Sequence, residues 1–301
     1  MEIIIGKTAG FCFGVKNAVT KAEEALKQNE EIYCLGELVH NKQVTKKLTQ
    51  KGMHFIDDIT EAKAKTVIRS HGVEKNIYKQ AENMEIELID LTCPKVLNIH
   101  NIAEEYAKKG FYIILTGDKN HPEMLGTASF CGEHYYILEK EEDIENAIDE
   151  FKKLKLSNIL LISQTTYSLE KFKKIADILQ KEIPNIEVIN TICNATKMRQ
   201  EETEQMAKDV DIMIIVGGKH SSNSNKLYEI AKKHCNNVLF VETADELNIK
   251  LRQRKDLKIK RHQKIAILKA RKLITQIIKT ISPRAQKKLA KTLKRIRQEK
   301  K

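Results

Sequence analysis

Three cysteines in this 301-residue chain close three similar apolar runs: Cys12 in "EIIIGKTAGFCFGV", Cys93 in "IELIDLTCPKV" and Cys193 in "IEVINTICNAT". Each is followed 24 residues later by a glycine (Gly36, Gly117, Gly217), and four residues beyond each glycine stands a polar side chain (His40, His121, Ser221). A thiol and a polar group repeated in one register are the parts of a shared site. Two metal centres fit three thiolates. Zinc takes three protein ligands and keeps one open position, and a [4Fe–4S] cluster held by three cysteines leaves one iron free as a Lewis acid. Cys34, Cys131 and Cys235 fall outside the register; Cys34 within "IYCLG" reads as a small buried hydrophobe. No CxxC pair occurs, which argues against a local zinc ribbon.

The histidines stand beside loop glycines or prolines: His40 in "GELVHN", His71 in "SHGV" and His121 in "NHPE". One histidine is an ordinary structural partner, but three at corresponding strand ends supply donors for an anion. "QTT" at 164–166 and "SSNSN" at 221–225 add hydroxyl and amide donors. Together they describe a phosphate-binding cavity built from neutral donors and histidine. Neither GxxxxGK[ST] nor GxGxxG is present, so a nucleotide is not supported. Glu123 follows a proline that starts a helix, where a carboxylate is worth about 0.3–1 kcal/mol. Desolvated in a closed cavity, the same carboxyl would hold a proton near neutrality and serve as proton donor.

These residues need elements to aim them. After each cysteine runs a helical pattern, such as Val15, Ala18, Val19, Ala22 and Leu26, or Val96, Ile99, Ala103 and Tyr106. A strand ending at the glycine follows ("IYCLG", "YIILTG", "IMIIVG"), then a further strand with a polar loop, "TVIRSHGV" and "ILLISQTTYS" in the first two units. The third counterpart is expected near residues 252–269, where no comparable loop occurs. The pattern predicts an α/β fold: three small parallel-sheet α/β domains in a pseudo-threefold trefoil around a central cluster cavity, with ligands beyond the carboxyl ends of the strands. The expected units are residues 1–92, with the Cys12 loop packing centrally, 93–190, 191–283, and a basic tail at 284–301.

Residues 251–301 hold 20 Lys and Arg against two acids, so the net charge of +12 becomes −6 over the first 250 residues. The positive excess therefore belongs to the tail and makes a weak case for a nucleic-acid-binding body. No apolar run reaches the ~20 residues of a membrane span, and the N-terminus lacks a signal-peptide pattern. A soluble, cytoplasmic protein with reduced cysteines is expected.

The strings "GFCFGV", "GELVHN", "SHGV", "DLTCP", "GDKNHPE", "SQTT", "ICNAT" and "SSNSN", in this order over residues 1 to about 248, resemble the LytB family of 4-hydroxy-3-methylbut-2-enyl diphosphate reductases. That resemblance implies the trefoil and one [4Fe–4S] cluster on Cys12, Cys93 and Cys193. It implies a free iron that binds the substrate hydroxyl, electrons delivered singly by a ferredoxin or flavodoxin, and isopentenyl and dimethylallyl diphosphate as products of the non-mevalonate pathway. His40, His71, His121, Thr165, Ser221, Ser222 and Asn223 become diphosphate or substrate contacts, and Glu123 the proton donor.

The chain departs from the family where a small-residue loop carrying a serine is expected. Here "KIAIL" still reads as the strand, but "KARK" follows, with Lys269, Arg271 and Lys272, and Ile274, Ile277, Ile278 and Ile281 lie along one face of a final helix. Two other readings remain at this point. One is another three-cysteine [4Fe–4S] enzyme of quinolinate synthase type. The other is an inactive homologue whose tail, "KKLAKTLKRIRQEKK", binds RNA or a membrane surface.

Overall fold

The computed structural model of the chain describes residues 2–28, 31–154, 158–183, 185–253 and 264–268. It divides into two compact units, Cys12–Lys197 and a second composed of Met1–Phe11 with Met198–Lys301. Among the described residues no helix is long and apolar enough to cross a membrane.

The chain enters through strand β1 (Glu2–Ile5), helix α1 (Phe13–Gln28), β2 (Ile32–Leu35), α2 (Lys42–Thr49), β3 (Met53–Ile56), β4 (Thr66–Ile68), α3 (Lys75–Asn83) and β5 (Leu88–Asp90). There follow α4 (Pro94–Lys108), β6 (Tyr112–Thr116), α5 (Pro122–Ala128), β7 (Tyr135–Leu138), α6 (Ile144–Lys153), β8 (Ile159–Ser163), α7 (Leu169–Glu182) and β9 (Ile186–Val188). Last come α8 (Asn194–Lys208), β10 (Ile212–Val216), α9 (Ser222–His234), β11 (Val238–Val241), α10 (Ala244–Gln253) and β12 (Lys264–Leu268).

Unit Cys12–Lys197 holds two four-stranded parallel sheets, ordered β3-β2-β4-β5 and β7-β6-β8-β9. Their central strands are uninterrupted apolar runs because helices cover both faces of a parallel sheet. Side chains alternate between those faces. Ile113 and Leu115 of β6 pack with Ile99 and Ala103 of α4 and Met124 and Ala128 of α5, while Ile114 packs with Phe151 of α6 and Ile175 and Leu179 of α7. In the other sheet, Ile32 and Cys34 of β2 meet Ala18, Ala22 and Ala25 of α1, and Tyr33 and Leu35 meet Ala81 of α3. Each fully buried Ile or Leu contributes roughly 1.5–3 kcal/mol.

The second unit holds a sheet ordered β1-β12-β10-β11. Its strand order matches the other two, with β1 in the place taken by β5 and β9. β12 supplies the counterpart strand expected near 252–269. The N-terminal strand differs from the expectation that residues 1–92 form one unit, since β1 pairs in parallel with β12 through Glu2↔Lys264, Ile3↔Ile265, Ile4↔Ala266 and Ile5↔Ile267. The reason is hydrogen bonding and burial: "EIII" needs a ladder partner and an apolar neighbour, and Ile265, Ala266 and Ile267 are fully buried. Every cysteine in register thus follows the outer strand of a sheet, β1 before Cys12, β5 before Cys93 and β9 before Cys193.

Candidate active site

Cys12, Cys93 and Cys193 each stand immediately before a helix, α1, α4 and α8, and the carbonyl of each accepts from the first helical turn: Cys12 O accepts from Lys16 N (2.9 Å), Cys93 O from Val96 and Leu97 N (2.8 and 3.0 Å), Cys193 O from Thr196 and Lys197 N (2.9 and 3.0 Å). A helix N-terminus favours an anionic sulfur. All three are free thiols and half-buried, whereas Cys34, Cys131 and Cys235 are buried. Burial pushes the Cys34 and Cys131 thiols up to about 12, which keeps them protonated. Gly14 lets α1 approach, because a Cβ there would stand 2.6 Å from Cys93 Sγ. Burial raises the Cys93 thiol, the Cys12 and Cys193 sulfurs add to that, and the N–H groups of Lys95 and Val96 oppose it. Three sulfurs that meet at helix N-termini, none of them in a disulfide, form a donor set that fits a metal or an iron–sulfur cluster.

The same cysteines are tied to the polar loops. Cys93 N donates to Ser70 O (3.0 Å) and Cys193 N to Thr165 O (3.1 Å). Ser70 N and Oγ both donate to Leu38 O, at 3.1 and 2.9 Å, which joins the "GELVHN" and "SHGV" loops. His40 precedes Asn41, whose Oδ1 caps α2 by accepting from Gln43 N and Val44 N. His71 sits before Gly72, which takes φ +74°, a conformation that favours glycine. His121 caps α5. Thus the strand ends after β2, β4 and β6 each present one imidazole.

The three rings meet. His40 stacks on His71 with centroids 4.2 Å apart, and His121 stands edge-on to both at 5.4 Å. One ligand nitrogen from each lies within 4.8 Å of the others, so a metal ion is a possible occupant. The tautomer of His121 speaks against it. Its Nδ1 accepts from Glu123 N at 3.1 Å, so in the neutral ring the proton is on Nε2. Metal-ligating histidines have the opposite arrangement, donating from the nitrogen that does not bind metal. Burial, then His40, with Arg69 adding and Asp118 opposing, lowers His121 to about 4; burial, His40, His121 and Arg69 lower His71 well below the usual value. At neutral pH His71 and His121 are therefore uncharged N–H donors beside a guanidinium, a setting for an anion. His71 Nδ1 and Gln164 Nε2 are buried with no hydrogen-bond partner among the described residues.

Glu123 is 2 % exposed in the first turn of α5. Thr165, at the end of β8, donates its N–H to one carboxyl oxygen (2.6 Å) and its hydroxyl to the other (2.7 Å). Those bonds favour the carboxylate, but burial outweighs them and raises Glu123 to about 7. A carboxyl poised at neutrality next to a hydroxyl can deliver a proton. In the second unit, Ser221 caps α9, its hydroxyl accepting from Ser224 N at 3.4 Å. Ser222 and Asn223 open that helix, and Asn223 Oδ1 is buried with no hydrogen-bond partner among the described residues. Lys269, Arg271, Lys272, Ile274, Ile277, Ile278, Ile281 and the tail at 284–301 lie outside the described residues.

Sequence reading does not single out His100, Arg69, Gln164, Arg199 or Glu202. His100 is 2 % exposed, stacks on Phe130 at 4.4 Å, and fills the space that a Cβ on Gly72 (2.8 Å) or Gly126 (3.5 Å) would claim. It wedges the His71 turn against α5, which carries His121 and Glu123. Its signal was its place seven residues after Cys93, on the same helical face. Arg69 Nε donates to Gly72 O (3.3 Å) and its guanidinium packs where a Gly36 side chain would be. Gln164 Oε1 accepts from Asp118 N (3.2 Å), in the loop that leads to His121. On α8, Arg199 donates to Gly10 O (2.6 Å), and Glu202 accepts from Lys7 N and from Thr8 N and Oγ1, which fixes the segment leading to Cys12.

The family model described as LytB protein matches residues 3–282. A 4-hydroxy-3-methylbut-2-enyl diphosphate reductase from Caldanaerobacter subterraneus subsp. tengcongensis is 41% identical over 263 residues, covering 85% of this chain and 89% of that protein. A solved (E)-4-hydroxy-3-methyl-but-2-enyl diphosphate reductase, the terminal enzyme of the non-mevalonate pathway, superposes with TM-score 0.65 at 34% identity over 93% of this chain and 99% of its own. The E-1-hydroxy-2-methyl-but-2-enyl-4-diphosphate reductase from Plasmodium falciparum gives TM-score 0.79 at 28% identity over 97% of this chain and 87% of its own.

Proposed function

The chain belongs to the LytB protein family of 4-hydroxy-3-methylbut-2-enyl diphosphate reductases, iron–sulfur enzymes of the non-mevalonate isoprenoid pathway, and we propose that the residues gathered in unit Cys12–Lys197 carry that reaction in this protein. The family match displaces the quinolinate synthase-like reading. Reductive removal of the substrate hydroxyl consumes two electrons and two protons; the C–O bond breaks, the oxygen leaves as water, and a proton is added to the allylic carbon skeleton to give isopentenyl or dimethylallyl diphosphate.

Cys12, Cys93 and Cys193 would hold one [4Fe–4S] cluster, which when bound supplies single electrons, received from a ferredoxin or flavodoxin, and Lewis acidity at its open iron. The protein's own groups position the diphosphate and manage the protons. His40, His71 and His121 converge as the anion site, with Arg69 nearby to favour negative charge. Two of those rings are neutral, so the site can be desolvated without burying uncompensated cations. Ser221, Ser222 and Asn223, which open α9 of the second unit, are proposed as diphosphate or substrate contacts on the family resemblance. Glu123 holds a proton at neutral pH and faces Thr165 Oγ1 at 2.7 Å, so the pair can pass it to the reacting end of the substrate. Orientation and preset donors of this kind do most of their work without chemistry of their own.

The observation that carries this reading is the meeting of the His40, His71 and His121 rings, with Glu123 N bonded to His121 and the buried Glu123 carboxyl held by Thr165. The anaerobically prepared, cluster-loaded protein, given a chemical reductant and the hydroxylated diphosphate, is expected to release both isoprenoid diphosphates. Release of neither from a fully loaded preparation would end the proposal.

His121→Asn provides a separate check. Asparagine keeps the helix cap but removes the Nε2 donor. Affinity for inorganic pyrophosphate, measured by titration calorimetry, is expected to fall roughly 10- to 150-fold, the loss of one hydrogen bond to a charged group of about 1.5–3 kcal/mol. Undiminished affinity would remove His121 from the anion site.

A further inference from the structure

Each cysteine of the triplet stands at the start of a helix, and the third residue after it differs among the copies: Val15 after Cys12, Val96 after Cys93 and Thr196 after Cys193. Only the last carries a hydroxyl. Thr196 is 3% exposed, and its Oγ1 lies 3.3 Å from Cys193 Sγ, while its backbone N–H donates to the same sulfur at 3.4 Å. A thiolate has no proton to give, so with Cys193 ionised the hydroxyl is the donor. Among the described residues the Cys193 sulfur alone of the three has a side-chain hydroxyl on it. Helix α8 does not need that group. Thr196 N also donates to Cys193 O at 2.9 Å, the bond that Val96 N makes to Cys93 O at 2.8 Å with no hydroxyl beside it.

We propose that Thr196 is a tuning residue for the redox centre: its hydroxyl, held on the Cys193 sulfur, favours the uptake of each electron. The inference rests on the reading of the three cysteines as cluster ligands and adds which group sets how readily the centre is reduced. Reduction adds one electron, and so one negative charge, to a centre whose charge is shared by its thiolate sulfurs. A hydrogen bond to an ionised acceptor strengthens as the charge on that acceptor grows. The Thr196 donor therefore stabilises the reduced form more than the oxidised one and raises the potential, as hydrogen bonds to cluster sulfurs do. Burial enlarges the effect, because charge and dipole interact more strongly in a low dielectric. Valine has nearly the same shape, so the first two units show the same register without the donor.

A second explanation of the hydroxyl is that it only satisfies itself on the nearest acceptor. Reductive titration of the cluster-loaded protein with dithionite, followed by electron paramagnetic resonance, separates the two. Thr196→Val places beside Cys193 the residue that the other two copies carry. It is expected to lower the one-electron reduction constant about tenfold, or about 59 mV, at unchanged iron and sulfide content. Thr196→Ser keeps the hydroxyl and should stay within about twofold of the unaltered protein. Where valine disturbs cluster loading, Thr196→Ala against Thr196→Ser isolates the hydroxyl, and the same gap of about tenfold is expected between them. A valine or alanine variant that titrates at the potential of the serine variant would overturn the tuning role. Iron analysis of the unaltered protein guards the premise: no bound iron would mean that the cysteine assignment had failed, whereas bound iron at an unshifted potential would remove Thr196 alone.

Discussion

Replacing Cys93 with serine is expected to strip the protein of most of its bound iron and sulfide and to abolish turnover. Serine is close in size, so the fold should persist, but its hydroxyl does not ionise near neutrality and is a poor ligand for a soft metal centre. Cys131→Ser is the control. That thiol lies in the apolar core with its proton held to about 12, its Sγ donating to Thr127 O at 3.4 Å. Its loss should cost stability while leaving iron content and rate intact. The contrast tests the register itself, because both positions are cysteines and only one follows an outer strand at a helix N-terminus. Iron and sulfide analysis, with the visible absorption of the reconstituted protein, reads the result. Full iron loading and near-native turnover in Cys93→Ser would show that the ligand set lies elsewhere.

Glu123→Gln is expected to lower kcat by about 10²- to 10⁴-fold, the usual contribution of a positioned proton donor. Glutamine keeps the shape of the side chain and can still accept from Thr165, so pyrophosphate binding and cluster content should hardly change. The pH profile carries the stronger signature. In the unaltered protein the acid form is lost as pH rises through about 7, so the rate should fall about tenfold per unit above that point. The variant lacks this limb. Folding responds with the same sign. Between the ordinary glutamate value of 4.5 and about 7, Glu123 is protonated in the folded chain and ionised in the unfolded one, so its contribution to stability declines across that window. Glu123→Gln should flatten that slope in denaturant titrations. Retention of the rate limb above pH 7 in the variant would assign the proton to another group.

The cysteine register, the helices behind it and the polar loops ahead of it were all legible in the linear chain, because each depends on local patterns. Apolar runs long enough for a strand, a cysteine at the turn, and the spacing of Val96, Ile99 and Ala103 are written within a few residues of one another. His40, His71 and His121 could likewise be placed at strand ends by counting. What counting could not supply was the sheet that β1 joins. Glu2 meets Lys264 across nearly the whole chain, and a four-residue apolar segment has no local preference among sheets of equal apolarity. Nor could it find His100, whose role comes from filling the space left by Gly72 and Gly126, residues remote from it in sequence. The Nε2–H of His121, the neutral state of His71 and the proton on Glu123 belong to the same class. Sequence named the residues because types and spacing are covalent. Tertiary structure alone fixed strand partners, tautomers and protonation, because ladder pairing and desolvation are set by everything packed around a group.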